Sequence, residues 1–227
     1  MYEHDTETPE FHYFNSIPWC AQHLRGTNLV ARPPSCRTVL PSGENSLFGR
    51  TLNTAGTISA MLEIFSNSSK GAAAGVEEED KTNTGTGGLV DKVKWLLALG
   101  EGVNGYPGTL HGGIVAAILD EVIGGLIPIN RERRLIPEGN HFTAYLNTQY
   151  RRPVSTEAGA LLARARFVKV DLARGKFFAE ATLEGAEGGG AGERRGAVCA
   201  GEGDEALVGV GGFLGQLVIP MGMFQCK

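Results

Sequence analysis

Several features that would point to a particular class of protein are missing from this 227-residue chain. Its four cysteines lie far apart and form no Cys-x-x-Cys pair, which argues against a zinc site and favours free thiols in a reducing compartment. Its formal net charge of −4 gives no electrostatic footprint for nucleic-acid binding. No stretch has the ~20 uninterrupted apolar residues of a transmembrane helix. The acidic N-terminus has neither the apolar core of a signal peptide nor the arginines of a transit peptide. We therefore expect a cytoplasmic protein, with a mitochondrial location left open.

The apolar content, 42%, is sufficient for one substantial core rather than two. Residues 1–50 are predicted to be an irregular, proline-punctuated lead-in that packs on this core, and residues 51–200 to be the main domain. A glycine-rich insertion at 66–88 is expected to be a flexible loop. The apolar tail at 201–227 stays unassigned, although part of it is a candidate for a last strand.

One long helix, residues 111–127, stands among about five predicted strands. The strand candidates are residues 57–65, 89–99, 141–151, 160–170 and 176–183. Pro128 and Pro137 bracket a basic connector that we expect to be exposed to solvent, and Gly175 is expected to supply a positive φ in a tight turn. These elements predict an α+β fold with a mainly antiparallel sheet.

Two adjacent carboxylates, Asp120 and Glu121, interrupt the apolar helix. At 100° per residue, its large apolar side chains gather on one face and Asp120 points away from them. The residues on the side of Asp120 are all small: Gly113, Ala116, Ala117 and Gly124. Glu121 lies about 100° round from Asp120, at the border of the apolar face. Asp120 is therefore the candidate for contacting a substrate, and Glu121 for an ion pair or hydrogen bond inside the protein.

The start of this helix is a candidate oxyanion site. His111 is followed by Gly112 and Gly113, and backbone N–H groups at a helix N-terminus suit a negative oxygen. A carboxylate and an oxyanion site on one helix suggest acyl chemistry. His111 and Asp120 are nine residues apart (111 and 120), which places them on opposite sides and ~13.5 Å apart along the axis. Because they can hardly meet at one reacting atom within one chain, the spacing predicts a two-fold dimer with the helices side by side.

These residues resemble the hotdog-fold thioesterases, specifically the phenylacetyl-CoA-thioesterase-like branch and its fungal members. The segment Gly-Tyr-Pro-Gly-Thr-Leu-His-Gly-Gly at 105–113, with Asp120 nine residues after the His, is similar to the active-site segment of that family. Residues 143–154, with their Asn, Tyr and Arg-Pro pattern, are similar to its next strand. Residues 16–20 and 45–54 resemble the lead-in of fungal members. The resemblance covers roughly residues 10–185.

The resemblance implies a hotdog fold, in which a sheet wraps one long central helix and the active site lies at a dimer interface. It implies hydrolysis of acyl thioesters of coenzyme A or acyl carrier protein, without a metal or other cofactor. Asp120 would be the general base or the nucleophile, and the Gly112 or Gly113 N–H would polarise the thioester carbonyl.

The remaining site residues also take their roles from the resemblance. His111 would orient the loop at the helix start, and Thr143 matches a hydroxyl that positions water. Arg151 and Arg152 are candidates for binding coenzyme A phosphates. Asn104 is a candidate substitute for a polar residue that some relatives place at the position of Gly105.

Each of these residues also has a simpler interpretation. The two carboxylates could form a solvated face or a salt bridge to an arginine among residues 131–134, and the two glycines could be only a tight turn. Helix capping is favoured over direct proton transfer for His111. Thr143 could be an ordinary strand residue, and Arg151 and Arg152 could be solvated charges at a strand end.

Two other functions compete with thioester hydrolysis. One is a non-catalytic acyl-binding or interaction protein on the same scaffold. The other is a dehydratase or hydratase acting on β-hydroxyacyl thioesters, which ranks lower because such relatives pair a His with a carboxylate in a different motif.

Overall fold

Seven strands form one antiparallel sheet in the computed structural model, which describes residues 8–67, 88–185 and, for its backbone, 213–220. The strands are β1 (Leu29–Arg32), β2 (Ile58–Ser66), β3 (Lys92–Leu99), β6 (Tyr145–Gln149), β7 (Leu161–Asp171), β8 (Lys176–Gly185) and β9 (Phe213–Pro220). Their order across the sheet is β1-β2-β3-β7-β8-β9-β6. A separate small hairpin pairs β4 (Asn104–Tyr106) with β5 (Thr109–Leu110). The predicted α+β layout with an antiparallel sheet around a long helix is confirmed, with seven strands rather than about five.

Most of the predicted 66–88 insertion lies outside the described residues, as does the tail apart from residues 213–220. Those residues form β9, which pairs with β8 on one side and with β6 on the other. The turn between β7 and β8 has Gly175 at φ 58°, as predicted.

The apolar face of the central helix packs against one face of the sheet. Helix α3 (Gly112–Gly124) buries Ile118, Leu119 and Val122 completely. These side chains join one core cluster with Trp95, Phe167 and Phe177 from β3, β7 and β8. The apolar residues that recur with the 3.6-residue period of a helix are thus the ones that are buried against the sheet.

The chain continues in helical form beyond α3, contrary to the predicted connector at Pro128. A second helix, α4 (Leu126–Glu132), contains Pro128 as its third residue. Proline is tolerated there because the first N–H groups of a helix have no intrahelical acceptor. Gly125 separates the two helices and lies against Trp95, where a Cβ would come within 2.6 Å of the ring.

The stretch Gly112–Glu132 has the length and hydropathy of a membrane span, with a mean hydropathy of 1.8, and half of it is buried inside the fold. This is a weak sign of a span, because the core helix of a globular protein has the same length and composition.

The lead-in is more regular than the predicted irregular segment. It forms α1 (Pro9–Asn15), α2 (Pro18–Leu24) and strand β1. Phe14 and Cys20 are fully buried in a second cluster, together with Leu62, Leu96 and Leu162 from the other face of the sheet. Strand β2 therefore has apolar residues on both faces, because α3 covers one and the lead-in helices cover the other.

Candidate active site

His111 is the N-cap of α3. Its backbone is extended, with φ −63° and ψ 133°, and its Nδ1 accepts a hydrogen bond of 3.0 Å from the Gly113 N–H. Nδ1 thus serves as a hydrogen-bond acceptor, which leaves Nε2 as the ring nitrogen that can donate. The carbonyl of His111 accepts from the N–H groups of Ile114 and Val115. The capping interpretation of His111 thus describes the observed geometry.

The cap separates the roles of the two glycines. The Gly113 N–H is committed to His111, whereas the Gly112 N–H has no acceptor in the part of the chain that the structure describes. It belongs to the first turn of a 13-residue helix, where backbone donors are unpaired and the helix dipole is positive. Of the two predicted oxyanion donors, Gly112 is the one that remains available for a ligand.

The loop before the helix holds His111 in place. The His111 N–H donates to the Val103 carbonyl at 2.9 Å. A Cβ on Gly105 would lie 3.1 Å from the His111 Cα, so a small residue suits this position. Asn104, the predicted substitute for a polar group here, accepts instead from the Thr156 hydroxyl at 2.6 Å.

Asp120 is half-buried and contacts Thr143, the residue predicted to lie near the reaction. The Thr143 hydroxyl donates to Asp120 Oδ1 at 2.8 Å. Oδ2 has no hydrogen-bond partner among the described residues, so one carboxylate oxygen is fixed while the other is available. Thr143 lies just before β6 and is brought to the helix by the path of the chain into that strand.

Glu121 lies in a different environment from its neighbour. Burial raises its pKa from 4.5 to about 7, with a further contribution from the negative charge of Asp120, while a hydrogen bond with the Cys36 thiol opposes the shift. Cys36 is itself buried and free. Neither helix carboxylate forms an ion pair within the described ranges, and Arg131 pairs with Glu138 instead. The salt-bridge alternative for this pair of residues therefore finds no support.

An open cavity of about 590 Å³ adjoins the helix start. Its lining residues come from the β4–β5 hairpin, the first turns of α3 and the segment after β6: Gly105, Tyr106, Thr109, Leu110, His111, Gly112, Val115, Tyr150, Arg151, Arg152, Pro153 and Val154. Arg151 and Arg152 are thus brought to the cavity next to Gly112. Asp120, Thr143 and Asn104 are not among the lining residues, so the cavity of one chain does not include Asp120. The two-fold dimer stays a prediction.

Tyr150 is a site residue that the sequence analysis did not single out. Its hydroxyl donates to the Gly112 carbonyl at 2.9 Å, and its ring lies beside Gly112. The signal that could have found it is its place between Asn147 and the Arg-Pro pair in the pattern that resembles the family.

Comparison with known proteins gives similar solved structures and a relative by sequence. No protein-family model matches the chain. Similar solved structures include a putative thioesterase of Ralstonia eutropha related to phenylacetic acid degradation. It is 18% identical with a TM-score of 0.38, covering 57% of this chain and 76% of the other. Thioesterase superfamily member 2 of zebra fish is 20% identical with a TM-score of 0.41, covering 58% and 75%.

A relative by sequence is verlamelin biosynthesis protein B of a Lecanicillium species. The two are 25% identical over 203 residues, which cover 79% of this chain and 83% of the relative. Both solved structures are named as thioesterases. The fungal branch of the resemblance stays a prediction.

Proposed function

We propose that this protein hydrolyses acyl thioesters, carried by coenzyme A or an acyl carrier protein, at a site shared between two chains. The observation that carries the proposal is the pair of groups on α3: a Gly112 N–H at the helix start that has no acceptor among the described residues, and the Asp120 carboxylate held by Thr143. The first suits the oxygen of a tetrahedral intermediate, and the second suits activation of water.

In the general-base route, Asp120 accepts a proton from a water molecule as the water oxygen attacks the thioester carbon. The carbonyl oxygen becomes an oxyanion and accepts a hydrogen bond from the Gly112 N–H. When the C–S bond breaks, the proton passes to the departing thiolate, leaving a carboxylic acid and a free thiol. In the nucleophilic route, Asp120 first displaces the thiolate and forms an anhydride, which water then hydrolyses. The free Oδ2 of Asp120 suits either route.

The two groups act on one substrate only if two chains combine. Gly112 and Asp120 are eight residues apart (112 and 120) on one helix, which is ~12 Å along the axis. The side of the helix with small residues is open: Gly113 is exposed, and a Cβ on Gly124 would meet nothing within 4 Å. A two-fold partner lying along this side would bring its own Asp120 to the cavity beside Gly112.

Arg151 and Arg152 support the proposal that the substrate is attached to coenzyme A or to a carrier protein. Both line the cavity that begins at Gly112, and guanidinium groups bind phosphate through two parallel hydrogen bonds. The phosphates of coenzyme A, or of a carrier protein's phosphopantetheine, would lie on this side, with the thioester directed to the helix start.

The test is release of free thiol from a panel of acyl-CoA and acyl-carrier-protein substrates by the full chain. We expect Asp120→Asn to lower kcat by at least ~100-fold, because the amide neither accepts the proton nor attacks the carbonyl. Asp171→Asn is the matched control: Asp171 caps the β7–β8 turn by accepting from the Arg174 N–H, and an Asn side chain can do the same.

Unchanged turnover in Asp120→Asn would reject the mechanism. Tight acyl-CoA binding without hydrolysis, indifferent to Asp120, would show the non-catalytic binding protein instead. Formation of an enoyl product rather than free thiol would show the dehydratase.

A further inference from the structure

We propose that Tyr150 is a positioning residue that fixes the oxyanion-binding glycine, Gly112, through the hydrogen bond from its hydroxyl to the Gly112 carbonyl. This inference rests on the proposed thioester hydrolysis and adds a residue to which the sequence analysis gave no role. Tyr150 acts here through Gly112 and donates no proton to the substrate.

Two contacts join Tyr150 to the helix start. The hydroxyl donates to the Gly112 carbonyl at 2.9 Å. The ring lies alongside the same residue, since a Cβ built on Gly112 would be 3.4 Å from the ring Cε1. Tyr150 directly follows β6, so its backbone position is set by the end of a strand.

The helix start needs such an anchor because of its composition. Gly112 and Gly113 are the first two residues of α3, and glycine loses more conformational freedom on folding than any other residue. Gly113 is exposed and Gly112 half-buried, so packing restrains them little. The His111 cap restrains the Gly113 N–H, and Tyr150 restrains the Gly112 carbonyl. Both bonds hold the Gly112–Gly113 peptide plane, which contains the Gly113 N–H and the Gly112 carbonyl, while the carbonyl of the preceding peptide, that of His111, accepts from Ile114 and Val115. The Gly112 Cα joins the two planes, so fixing the second plane limits the rotation at Gly112 that would redirect its N–H. Preorganisation of this kind is what makes an oxyanion donor effective.

The residues on either side of β6 contact both Gly112 and Asp120. Thr143, before β6, donates to Asp120, and Tyr150, after β6, donates to Gly112. The segment 143–150 therefore holds both functional groups of α3, one at each end.

The test compares Tyr150→Phe with Tyr145→Phe. The second residue is a matched control: it is the first residue of β6, the strand that Tyr150 directly follows, and it has similar exposure, 47% against 53%. Its hydroxyl has no hydrogen-bond partner among the described residues. We expect Tyr150→Phe to lower kcat about tenfold with KM within about twofold, because a misplaced oxyanion donor weakens the transition state and leaves ground-state binding in place. Tyr145→Phe should leave both constants unchanged.

The second readout is the backbone order parameter of the Gly112 N–H, measured by ¹⁵N relaxation. It should fall in Tyr150→Phe and stay at the wild-type value in Tyr145→Phe, while the thermal midpoint of both variants stays within a few degrees of wild type. A rise in KM at constant kcat would make Tyr150 a substrate contact and overturn the proposal, as would an unchanged kcat.

The order parameter separates this inference from the proposed function. If the wild-type protein releases no thiol from any substrate, the thioesterase proposal fails, and the relaxation measurement alone decides whether Tyr150 fixes Gly112. An unchanged order parameter would reject the positioning role whatever the activity.

Discussion

Asp120 and Glu121 are adjacent acids with opposite surroundings. Asp120 lies on the open side of the helix with one oxygen held by Thr143, whereas Glu121 is turned towards the buried Cys36 thiol. Their angular separation on the helix accounts for this difference, because successive residues lie 100° apart. The same separation divides the roles: one carboxylate is available for chemistry, and the other is held protonated over part of the neutral range.

The raised pKa of Glu121 predicts a pH-dependent cost to stability. Its folded-state pKa of about 7 lies above the ordinary 4.5. The cost is therefore absent below pH 4.5, grows as the pH rises towards 7, and is constant above that. Glu121→Gln removes this ionisation, so we expect the variant to gain roughly 3 kcal/mol relative to wild type between these limits, as an upper value.

Urea denaturation of both proteins at several pH values and one fixed protein concentration measures this difference. Glu63 also has a pKa raised to about 7 by burial, but it is present in both proteins and cancels in the comparison. If the difference in unfolding free energy between the two proteins does not change with pH, the raised pKa of Glu121 is contradicted.

Sequence periodicity predicted the separation of Asp120 from Glu121, since both belong to one helix. It could not predict that Cys36 would meet Glu121, because that contact joins segments about 85 residues apart in the chain and depends on how the whole core packs. Thr143 was reached only through the resemblance. Tyr150 stands in the Asn, Tyr and Arg-Pro pattern of the resemblance, but its role was missed because the pattern does not show that its hydroxyl bonds to the Gly112 carbonyl.

At the level of elements, the start of α3 depends on a side-chain cap as much as on its glycines. His111 replaces the Ser, Thr, Asp or Asn that usually accepts from the first backbone N–H groups. The His111 ring accepts this hydrogen bond from the Gly113 N–H. The resemblance alone was compatible with two roles for His111, orienting the loop at the helix start and transferring a proton.

Two substitutions of His111 distinguish these roles. His111→Ala removes the acceptor, and we expect it to destabilise the protein by about 1 kcal/mol and to lower kcat as the Gly113 N–H is released. His111→Asn supplies another acceptor and should preserve most of both properties. Chemical denaturation and thiol-release kinetics measure them. If His111→Asn loses as much activity as Asp120→Asn, the imidazole transfers a proton rather than capping the helix.

The long elements were predicted well and the short ones were not. Strands β2, β3, β7 and β8 and helix α3 are each at least eight residues long, which is enough for period 2 or 3.6 to show. Helices α1 and α2 have only seven residues each, which is less than two periods of 3.6 residues. The lead-in was therefore predicted to be irregular. Their signal was the proline in the first turn of each helix, Pro9 and Pro18, which is a favoured position for that residue.

For the whole molecule, the proposal requires that each site combine residues of two chains. Gly112 and the cavity would come from one chain and Asp120 from the other. Such a site can be rebuilt from two differently inactivated chains, whereas a site within one chain cannot.

Complementation tests this directly. Gly112→Pro removes the N–H and adds a ring whose Cβ would lie 3.4 Å from the Tyr150 Cε1, which is van der Waals contact. Proline suits the first position of a helix after His111, whose extended backbone is the conformation preferred before proline. Asp120→Asn removes the carboxylate. Each variant alone should be inactive, but co-expression should restore about a quarter of wild-type activity, since about half of the randomly formed dimers are mixed and each mixed dimer has one intact site. Each variant alone, prepared in the same way, provides the baseline, and no recovery above it would mean that the site is not shared.

The sheet order has a consequence for how the protein is made. Strand β6 lies at the edge of the described sheet, and its one neighbour there is β9. In the chain, β7 and β8 stand between β6 and β9. During synthesis, β1, β2, β3, β7 and β8 can pair in turn while β6 still has no strand beside it. The segment that holds Gly112 and Asp120 would thus be secured last, when residues 213–220 fill the gap. A chain interrupted before that point could keep most of its core and still lack an ordered active site.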